Sequence, residues 1–383
     1  MEIKAALSQI KDFRREHGKK HALVDILLLC VIGFICGHTD IEDIVFWAEY
    51  EIERLRKFLE LKNGIPSADT ILRVLAHIDS KQFERIFTEW TKDYFKAQPP
   101  EKDELEIVAI DGKTVRNSNR IHGKKGIHIV SAWADRLGIV LSQMKTDEKT
   151  NEITVIPELL ELMDLKGMIV TIDAMGCQKG ITKKISEKKS DYVITLKANQ
   201  SLLHDEVKSF FEMKDNETYC KDYEIQKWSC DIQKDHGRIE KREYYLCTHI
   251  SWLENRSEWS NLNAIGMVSC KRKTLSGEST DIRYFISSLT DAEKAGKAVR
   301  AHWGIENKLH WTLDVTFDED YSRIRKDHAA QNTAILRKIT MNLIKRAPEP
   351  VRKKQTKKKA SMKQKLGLCM INDDYLFSVL QLL

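Results

Sequence analysis

The sequence predicts a mixed α/β core that is preceded by an all-helical N-terminal domain and interrupted by a β-rich insertion. Three observations support this prediction. Apolar residues recur at helical spacing through the first 100 residues. Strand-like apolar runs then alternate with amphipathic helices from Glu106 to about Glu212, which is typical of an α/β core. From Asn216 to about Thr290, strand-like segments separated by turn residues replace the helices.

Composition and charge restrict the class of protein. The chain has 383 residues, which is enough for two or three units of ordinary size, and its 42% hydrophobic content supports a buried core. The 63 Lys and Arg against 57 Asp and Glu leave a net charge of +6, which gives only a slight indication of a nucleic-acid partner. The eight cysteines form no CxxC pair, so we expect reduced thiols in a cytosolic protein.

No membrane partner is predicted. The run Ile26–Cys36 contains no charge but is far shorter than the roughly 20 residues that span a bilayer, so we expect it to be a buried helix. The polar segment Met1–Lys20 does not resemble a signal peptide.

The N-terminal unit is predicted to consist of helices. Two of them cover His21–Cys36 and Asp40–Glu60, and Ser67 is the expected N-cap of a third. Pro99 and Pro100 close the unit. A helical domain in front of a catalytic core suits DNA binding or dimerisation, and an ordinary scaffold fits the composition equally well.

The order of elements in the core predicts an RNase H-like sheet. Three antiparallel strands come first, and a helix, a strand, a second helix, a further strand and a third helix follow. In such a core the first and fourth strands lie side by side. The predicted elements are Ile107–Ile110, Ile127–Ala134, Gly138–Met144, helix Glu152–Leu165, strand Met168–Asp173, helix Ile181–Lys189, strand Asp191–Leu196 and helix Ser201–Glu212.

The remaining chain completes the predicted domain plan. Asp291 is expected to cap a helix that continues through Trp311, and Asn332–Arg346 is a last core helix. The insertion is predicted to contain the strands Tyr219–Asp231, Arg238–His249, Ala264–Lys273 and Arg283–Leu289. We therefore expect a helical domain at 1–100, the core at 101–215 and 291–346, the insertion at 216–290, and a basic tail with a short helix at 347–383.

Two aspartates stand at the ends of buried strands. Asp111 follows the apolar run Ile107–Ile110, and Asp173 follows a similar run 62 residues later. We interpret Gly112 as the residue that lets the backbone turn tightly after the first strand. If the two strands are neighbours, like charges face each other and need a cation between them. The sequence therefore predicts a site for a hard divalent ion such as Mg²⁺.

A third carboxylate is expected within Arg300–Arg325, the densest mixture of acidic, basic and aromatic residues in the chain. Glu306 is the preferred candidate because a helix would place cations and aromatic rings within about two turns of it. The alternative is a solvated helix face with Lys308 as a surface partner. Asp314 and Glu319 are reserve candidates.

These segments resemble the DDE insertion-sequence transposases, and in detail their H-repeat-associated branch. The phrases IVAIDGKT, TIDAMGCQ and HWGIENKLHWTLDVTFDED carry the resemblance, together with HGRIEKR and GIPSADTILRV, and it covers nearly the whole chain. The sequence around Glu306 departs from the signature of related branches. Related branches carry a Tyr-x2-Arg-x3-Glu-x6-Lys signature, whereas this chain has Val299, His302 and Leu313 around Glu306. Arg300, His302 and Lys308 are the candidate substitutes.

The resemblance implies a specific activity. It implies that Asp111, Asp173 and Glu306 form a triad that binds two Mg²⁺ or Mn²⁺ ions, with transposon-end and target DNA as partners. It also implies a homodimer in the synaptic complex and a bacterial cytoplasmic location, with action at the nucleoid. The expected reaction is cleavage at the transposon end followed by joining of the freed 3′ hydroxyl to target DNA, without a covalent protein intermediate.

Eight residues are predicted to contact DNA, and each has a plainer alternative. Basic residues after the first aspartate suit phosphate binding, although an exposed loop is the simpler interpretation. Arg238 fits a hairpin turn, the helical histidines fit packing, and Trp303 and Trp311 fit a core. The basic tail suits salt-dependent DNA binding or solvated disorder. The predicted DNA-binding residues are Lys113, Arg116, Arg120, Arg238, Arg300, His302, Trp303 and Lys308.

Three functions are consistent with the sequence. The preferred one is an active DNA transposase, because all three acidic positions are present. The second is an inactive or domesticated relative that only binds DNA, and the third is a metal-dependent nuclease without strand transfer. Cleavage, binding and joining of a labelled end fragment separate these three functions.

Overall fold

The computed structural model describes residues 2–101, 104–119, 126–146, 152–230, 232–235, 238–275, 277–351 and 359–382. Arg120, His236, Gly237 and residues 352–358 of the basic tail lie outside these ranges. In the described part of the chain, no helix has both the length and the hydropathy needed to cross a bilayer. All eight cysteines lie within the described ranges as free thiols.

The N-terminal region is helical, as predicted. Side-chain caps begin three of its helices: Asp40 accepts from the Glu42 amide, Ser67 from the Thr70 amide, and Asp79 from the Lys81 and Gln82 amides. The predicted N-cap at Ser67 is therefore confirmed. The helices are α1 (Ile3–Leu7), α2 (Leu23–Ile35), α3 (Ile41–Tyr50), α4 (Ile52–Leu55), α5 (Ala68–His77) and α6 (Ser80–Lys96).

The core sheet has the predicted order. Strand β1 pairs antiparallel with β2 and parallel with β4, and β4 pairs parallel with β5. The first and fourth strands are therefore neighbours, as an RNase H-like core requires. The elements of this part are β1 (Ile107–Thr114), β2 (His128–Ala134), β3 (Ile139–Lys145), α7 (Glu152–Leu162), β4 (Ile169–Ile172), α8 (Lys179–Glu187), β5 (Asp191–Leu196) and α9 (Ser201–Glu212).

The strands of the insertion continue the core sheet. The described strands form one sheet in the order β3-β2-β1-β4-β5-β10-β9-β8-β6, with β7 paired to β8. The link between the two parts is the antiparallel pairing of β5 with β10. The elements here are α10 (Glu217–Asp222), β6 (Gln226–Ser229), β7 (Gln233–Asp235), β8 (Arg238–Cys247), β9 (Ala264–Thr274) and β10 (Gly277–Ser287).

Two predicted strands of this region were wrong in their bounds. The segment Tyr219–Asp231 begins in α10 and becomes a strand only at Gln226. Asn216 explains the helix, because its side chain accepts from the Tyr219 amide and caps the first turn. Strand β10 starts at Gly277 rather than at Arg283, because it forms a long hairpin with β9.

A long helical run leaves the sheet and leads to the end of the chain. The predicted helix from Asp291 exists, but its second part, Ile305–His310, is a π-helical segment between two α-helices. Helix Met362–Ile371 was not predicted, and Lys365 of the predicted basic tail is buried against Glu349 at 3.0 Å. The helices are α11 (Ala292–Gly304), α12 (Trp311–Val315), α13 (Ala329–Arg346), α14 (Met362–Ile371) and α15 (Asp373–Leu380).

Helix α13 joins the helical region to the sheet. Along one side, Asn332 donates to the Leu75 and Ile78 carbonyl oxygens of the N-terminal helices. Further along, the Asn342 side chain bonds to both the amide and the carbonyl of Val140 in β3. The hydrophobic core around α13 includes residues of α2, α5, α6, α14 and α15. The N-terminal helices therefore share one core with the last part of the chain.

Candidate active site

The two predicted aspartates lie at the same edge of the sheet. In the parallel pairing of β1 with β4, Ile110 is opposite Ile172, so Asp111 and Asp173 directly follow a matched pair. Asp173 also caps a short 3₁₀ turn, because its side chain accepts from the amides of Met175 at 3.0 Å and Gly176 at 3.4 Å. Adjacent strands therefore deliver one carboxylate each to one place.

The negative charges of Asp111 and Asp173 are poorly compensated by their surroundings. Burial raises the pKa of Asp111 to about 7, and the charges of Asp173, Glu152 and Glu306 act in the same direction. Burial, followed by the charge of Glu152, also raises the pKa of Asp173, although its amide hydrogen bonds oppose the shift. A buried group of like charges is the electrostatic setting that a divalent cation relieves.

Gly112 has a different role from the predicted one. Strand β1 continues to Thr114 and Gly112 pairs with Val130, so the chain does not turn after Asp111. A Cβ at position 112 would instead collide with the carboxylate of Glu152 and the ring of His128. Glycine is needed here because two side chains pass directly over the backbone.

Glu306 lies in the π-helical segment, where its side chain is exposed to solvent. The charge of Glu306 is the smallest of the three neighbouring negative charges that raise the pKa of Asp111. π-Helical turns are rare and occur frequently at functional sites. In this conformation, and within the described residues, no three His, Cys, Asp or Glu side chains are close enough to bind one ion together.

Two histidines of the same helical run lie against the strand ends. His310 Nδ1 is 3.6 Å from Asp111 Oδ2, and His302 Nδ1 is 3.1 Å from the Thr171 hydroxyl. Burial lowers the pKa of each imidazole to about 4. His302, a predicted DNA contact, therefore packs against β4 in the structure.

Lys113 lies in an acidic cluster. Its ammonium group is 2.7 Å from Asp314, 3.1 Å from Glu319 and 3.0 Å from Asp320. Arg116 is exposed and also pairs with Asp320, at 3.2 Å. The reserve acids Asp314 and Glu319 thus neutralise Lys113, and Lys113 would have to leave them to contact a phosphate.

Three predicted DNA-binding residues of the helical run line one groove of about 670 Å³ near the start of β1 and the end of β2. Each of the three has a partner within the protein: Lys308 pairs with Asp135 at 2.7 Å, Arg300 donates to Gln233 at 2.6 Å, and the Arg283 guanidinium lies 4.9 Å from the Trp303 ring centroid. The groove is lined by Glu104, Leu105, Ile107, Asp135, Arg136, Trp228, Lys297, Arg300, Ala301, Trp303, Gly304, Asn307 and Lys308.

The other predicted contacts lie elsewhere. Arg238 is at the start of β8, half exposed and 3.5 Å from Glu240. Arg120 lies outside the described residues. Trp311 is 58% exposed, so the interpretation of this tryptophan as a core residue was wrong.

Glu152 and His128 were not predicted as site residues. His128 Nε2 is 2.7 Å from Glu152 Oε1, and both groups lie over Gly112. The available signal was the antiparallel pairing of the first two strands, which places His128 opposite Thr114. Nothing in the sequence marks Glu152, because an acidic residue in the first turn of a helix is ordinary.

Two known families match most of the chain. The family described as "Transposase DDE domain" matches residues 102–343, and a second family, described as "DDE_Tnp_1-associated", matches residues 4–91. This chain belongs to the DDE transposase family.

Individual relatives of this DDE transposase are similar over most of their length. "Putative transposase YncI" of Escherichia coli O157:H7 is 41% identical over 345 residues, which cover 88% of this chain and 86% of the relative. "H repeat-associated putative transposase YhhI" of Escherichia coli K12 is 35% identical over 391 residues and covers 99% and 98%, respectively. The H-repeat-associated resemblance of the sequence is confirmed.

One solved structure is similar at low identity. It is the piggyBac transposase synaptic complex with hairpin DNA, with a TM-score of 0.39 and 14% sequence identity over 99% of this chain and 77% of that chain.

Proposed function

We propose that the protein is an active DNA transposase of an insertion sequence. It cleaves the phosphodiester bonds at transposon ends and joins the 3′ ends to target DNA, and Asp111, Asp173 and Glu306 hold two Mg²⁺ or Mn²⁺ ions. Two copies act together in the synaptic complex, in the bacterial cytoplasm. The observation that carries the proposal is the delivery of Asp111 and Asp173 by adjacent parallel strands to one edge of the sheet.

The donor set suits a hard divalent cation. Mg²⁺ and Mn²⁺ prefer carboxylate oxygens, and the two aspartates supply these. The raised pKa values of Asp111 and Asp173 reflect burial and like-charge repulsion, both of which a bound cation offsets. When bound, the ions activate the attacking water or 3′ hydroxyl and stabilise the leaving oxygen.

The residues of the protein orient the metal-binding carboxylates and offer contacts to the DNA. Asp173 is fixed by two amide hydrogen bonds, so its carboxylate orientation is set before any ligand arrives. Glu306 is exposed and belongs to an irregular helical turn, which leaves its side chain free to move toward the strand ends. A groove near the start of β1 is lined by Arg300, Trp303 and Lys308, which offer cationic and aromatic contacts to a DNA strand.

Asp173→Asn should separate binding from chemistry. We expect the variant to bind a labelled end fragment with nearly unchanged affinity, because one carboxylate contributes little to phosphate contacts, while cleavage in Mg²⁺ is lost. Affinity is measured by fluorescence anisotropy and cleavage on a denaturing gel. A large loss of folding stability would instead indicate a structural role for Asp173.

The same assay distinguishes the alternatives. Cleavage and joining by the unaltered protein support the transposase, and cleavage without joined products indicates a nuclease. Binding without cleavage under any divalent ion indicates an inactive DNA-binding relative.

The basic tail should contribute to salt-dependent DNA binding. Replacing Arg352, Lys353, Lys354, Lys357 and Lys358 by Gln should reduce the slope of log affinity against log salt by up to ~4.5, since each phosphate contact contributes about 0.9. This charge replacement is preferable to deletion, because α14 and α15 pack into the core. Replacing the exposed Lys208 and Lys221 by Gln is the control, and an unchanged slope in the tail variant would contradict the proposal.

A further inference from the structure

We propose that the protein pairs with a second copy of itself through an acidic, aromatic face of α3, which docks into an apolar groove with a basic rim at the end of α6. This inference rests on the proposed function, in which two copies act together, and it names the surfaces that join them. Neither surface contains a residue of the proposed metal centre or a predicted DNA contact.

The exposed face of α3 carries two aromatic rings. Phe46 is 64% exposed and Tyr50 is 76% exposed, and their ring centroids are 5.1 Å apart. The two residues are four positions apart, so they lie on the same side of the helix. Two large aromatic side chains that lie together in solvent indicate a surface that another molecule covers.

Acidic residues surround this aromatic pair. Each of three exposed acids lies three or four positions from Phe46 and therefore on the same side of α3, and the helix contains no Lys or Arg. The negative phosphates of DNA would be repelled by this face, so its partner is a protein surface that is both apolar and basic. The three acids are Glu42, Asp43 and Glu49.

The chain itself offers such a surface. A groove of about 310 Å³ lies between the end of α6, β3 and the end of α7. Two threonines line it, but Thr91 donates its hydroxyl to the Leu141 carbonyl and Thr88 shares a hydrogen bond with Ser142. The groove therefore suits apolar side chains better than a polar ligand. Its apolar lining consists of Phe95, Pro99, Leu141, Met163 and Met168.

The rim of the groove is basic. Lys92, Lys96 and Lys166 line it, and Asp164, 3.6 Å from Lys96, is the only acid among the described lining residues. The net positive charge of the rim complements the acids around the aromatic pair of α3. Opposite charges around an apolar contact orient the two partners and select against wrong ones.

The area of a reciprocal contact is large enough for a dimer. In a two-fold pair each copy supplies its α3 to the groove of the other, so the contact occurs twice and the assembly closes. At roughly 200 Å² for a whole aromatic side chain, the exposed parts of Phe46 and Tyr50 and the groove surface that they cover amount to about 1,100 Å² over both contacts. A biological interface is expected to bury at least about 1,000 Å².

Sedimentation equilibrium of the full chain, without DNA or divalent ions, tests this pairing. We expect the unaltered protein to be a dimer at micromolar concentration. Phe46→Ser combined with Tyr50→Ser should raise the dissociation constant of the dimer by at least ~100-fold, because buried aromatic anchors are lost from both contacts. Both side chains are exposed in one copy of the chain, so the far-UV circular dichroism of this variant should be unchanged.

Charge reversal identifies the two surfaces as partners of each other. Lys92→Glu with Lys96→Glu should make the protein monomeric, and Asp43→Lys with Glu49→Lys should do the same, because like charges then face each other. A chain that carries all four substitutions should dimerise again, because opposite charges are restored across the contact.

The control reverses two lysines away from both surfaces. Lys208→Glu with Lys221→Glu, at exposed positions of α9 and α10, should leave the dimer intact. A monomeric unaltered protein, a dimer that survives either charge reversal, or a monomer when all four substitutions are combined would each overturn the proposed pairing.

The cleavage assay with a labelled transposon end separates this inference from the proposed function. Cleavage and joining by a protein that fails the pairing test would refute the two surfaces and leave the proposed chemistry standing. A dimer that responds to the substitutions as expected but never cleaves DNA would refute the chemistry and leave the two surfaces standing.

Discussion

Asp111→Asn should abolish cleavage of a labelled transposon end in Mg²⁺ while making the metal-free protein more stable. We expect the cleavage rate to fall by at least ~10³-fold, or about 4 kcal/mol in the activation barrier, because a metal-binding carboxylate is lost. The gain in stability of the metal-free protein comes from the removal of electrostatic repulsion. Asparagine removes a buried negative charge that Asp173, Glu152 and Glu306 all repel.

The stability gain should depend on pH in a defined direction. The pKa of Asp111 is raised to about 7 in the folded chain, against ~3.9 for an unfolded aspartate. Between these values the folded state binds more protons, so the cost of this carboxyl grows as the pH rises and is complete above about pH 7. Asp111→Asn should therefore gain on the order of 2–4 kcal/mol at pH 8 and nearly nothing at pH 4.

Urea unfolding in EDTA at both pH values measures this difference. Asp205→Asn, which changes an exposed aspartate on α9, should show no such pH dependence. A parallel pH dependence for Asp111→Asn and the unaltered protein would contradict the crowding of carboxylates at the strand ends.

Glu319→Ala should cost the protein more folding stability than the removal of either other acid that contacts Lys113. The Glu319 side chain is 1% exposed, its carboxylate accepts from Lys113 at 3.1 Å, and the buried Lys338 and Arg337 hold its pKa below its usual range. Burial lowers the pKa of Lys338 to about 8, because the charged ammonium group loses its hydration there. Removing the acid leaves buried cations uncompensated and should cost ~3–5 kcal/mol.

The midpoint of urea unfolding, at an unchanged slope, measures the loss. Asp318→Asn, at the exposed neighbouring position, should cost no more than about 0.5 kcal/mol. Adding Lys338→Met to Glu319→Ala should recover part of the stability, because it removes one of the uncompensated buried positive charges. A change below ~1 kcal/mol for Glu319→Ala alone would show that the cluster contributes little to folding.

The sequence was sufficient to predict how the two aspartates meet. Each follows a short apolar run, and the order of strands and helices requires the two runs to be neighbours. Both signals are local or topological, so they are visible without coordinates. The same reasoning predicted the helical N-terminal region and the strand-rich insertion.

Contacts between distant segments were not predictable in the same way. Lys113 looked like a free phosphate ligand, and three acids from about 200 residues further along the chain surround it. Gly112 looked like a turn residue because the side chains that require it come from β2 and α7. Each error arose where a residue's role depends on which remote side chain packs over it.

The shared position of α13 has a consequence for synthesis of the protein. The helices from Ile3 to Lys96 leave the ribosome first, yet the helix that completes their core begins only at Ala329. The apolar surface that α13 covers stays open while more than 200 residues are translated, and we expect this to expose the nascent chain to aggregation and to chaperones. A gene copy interrupted before this point would encode a polypeptide that lacks its own closing helix.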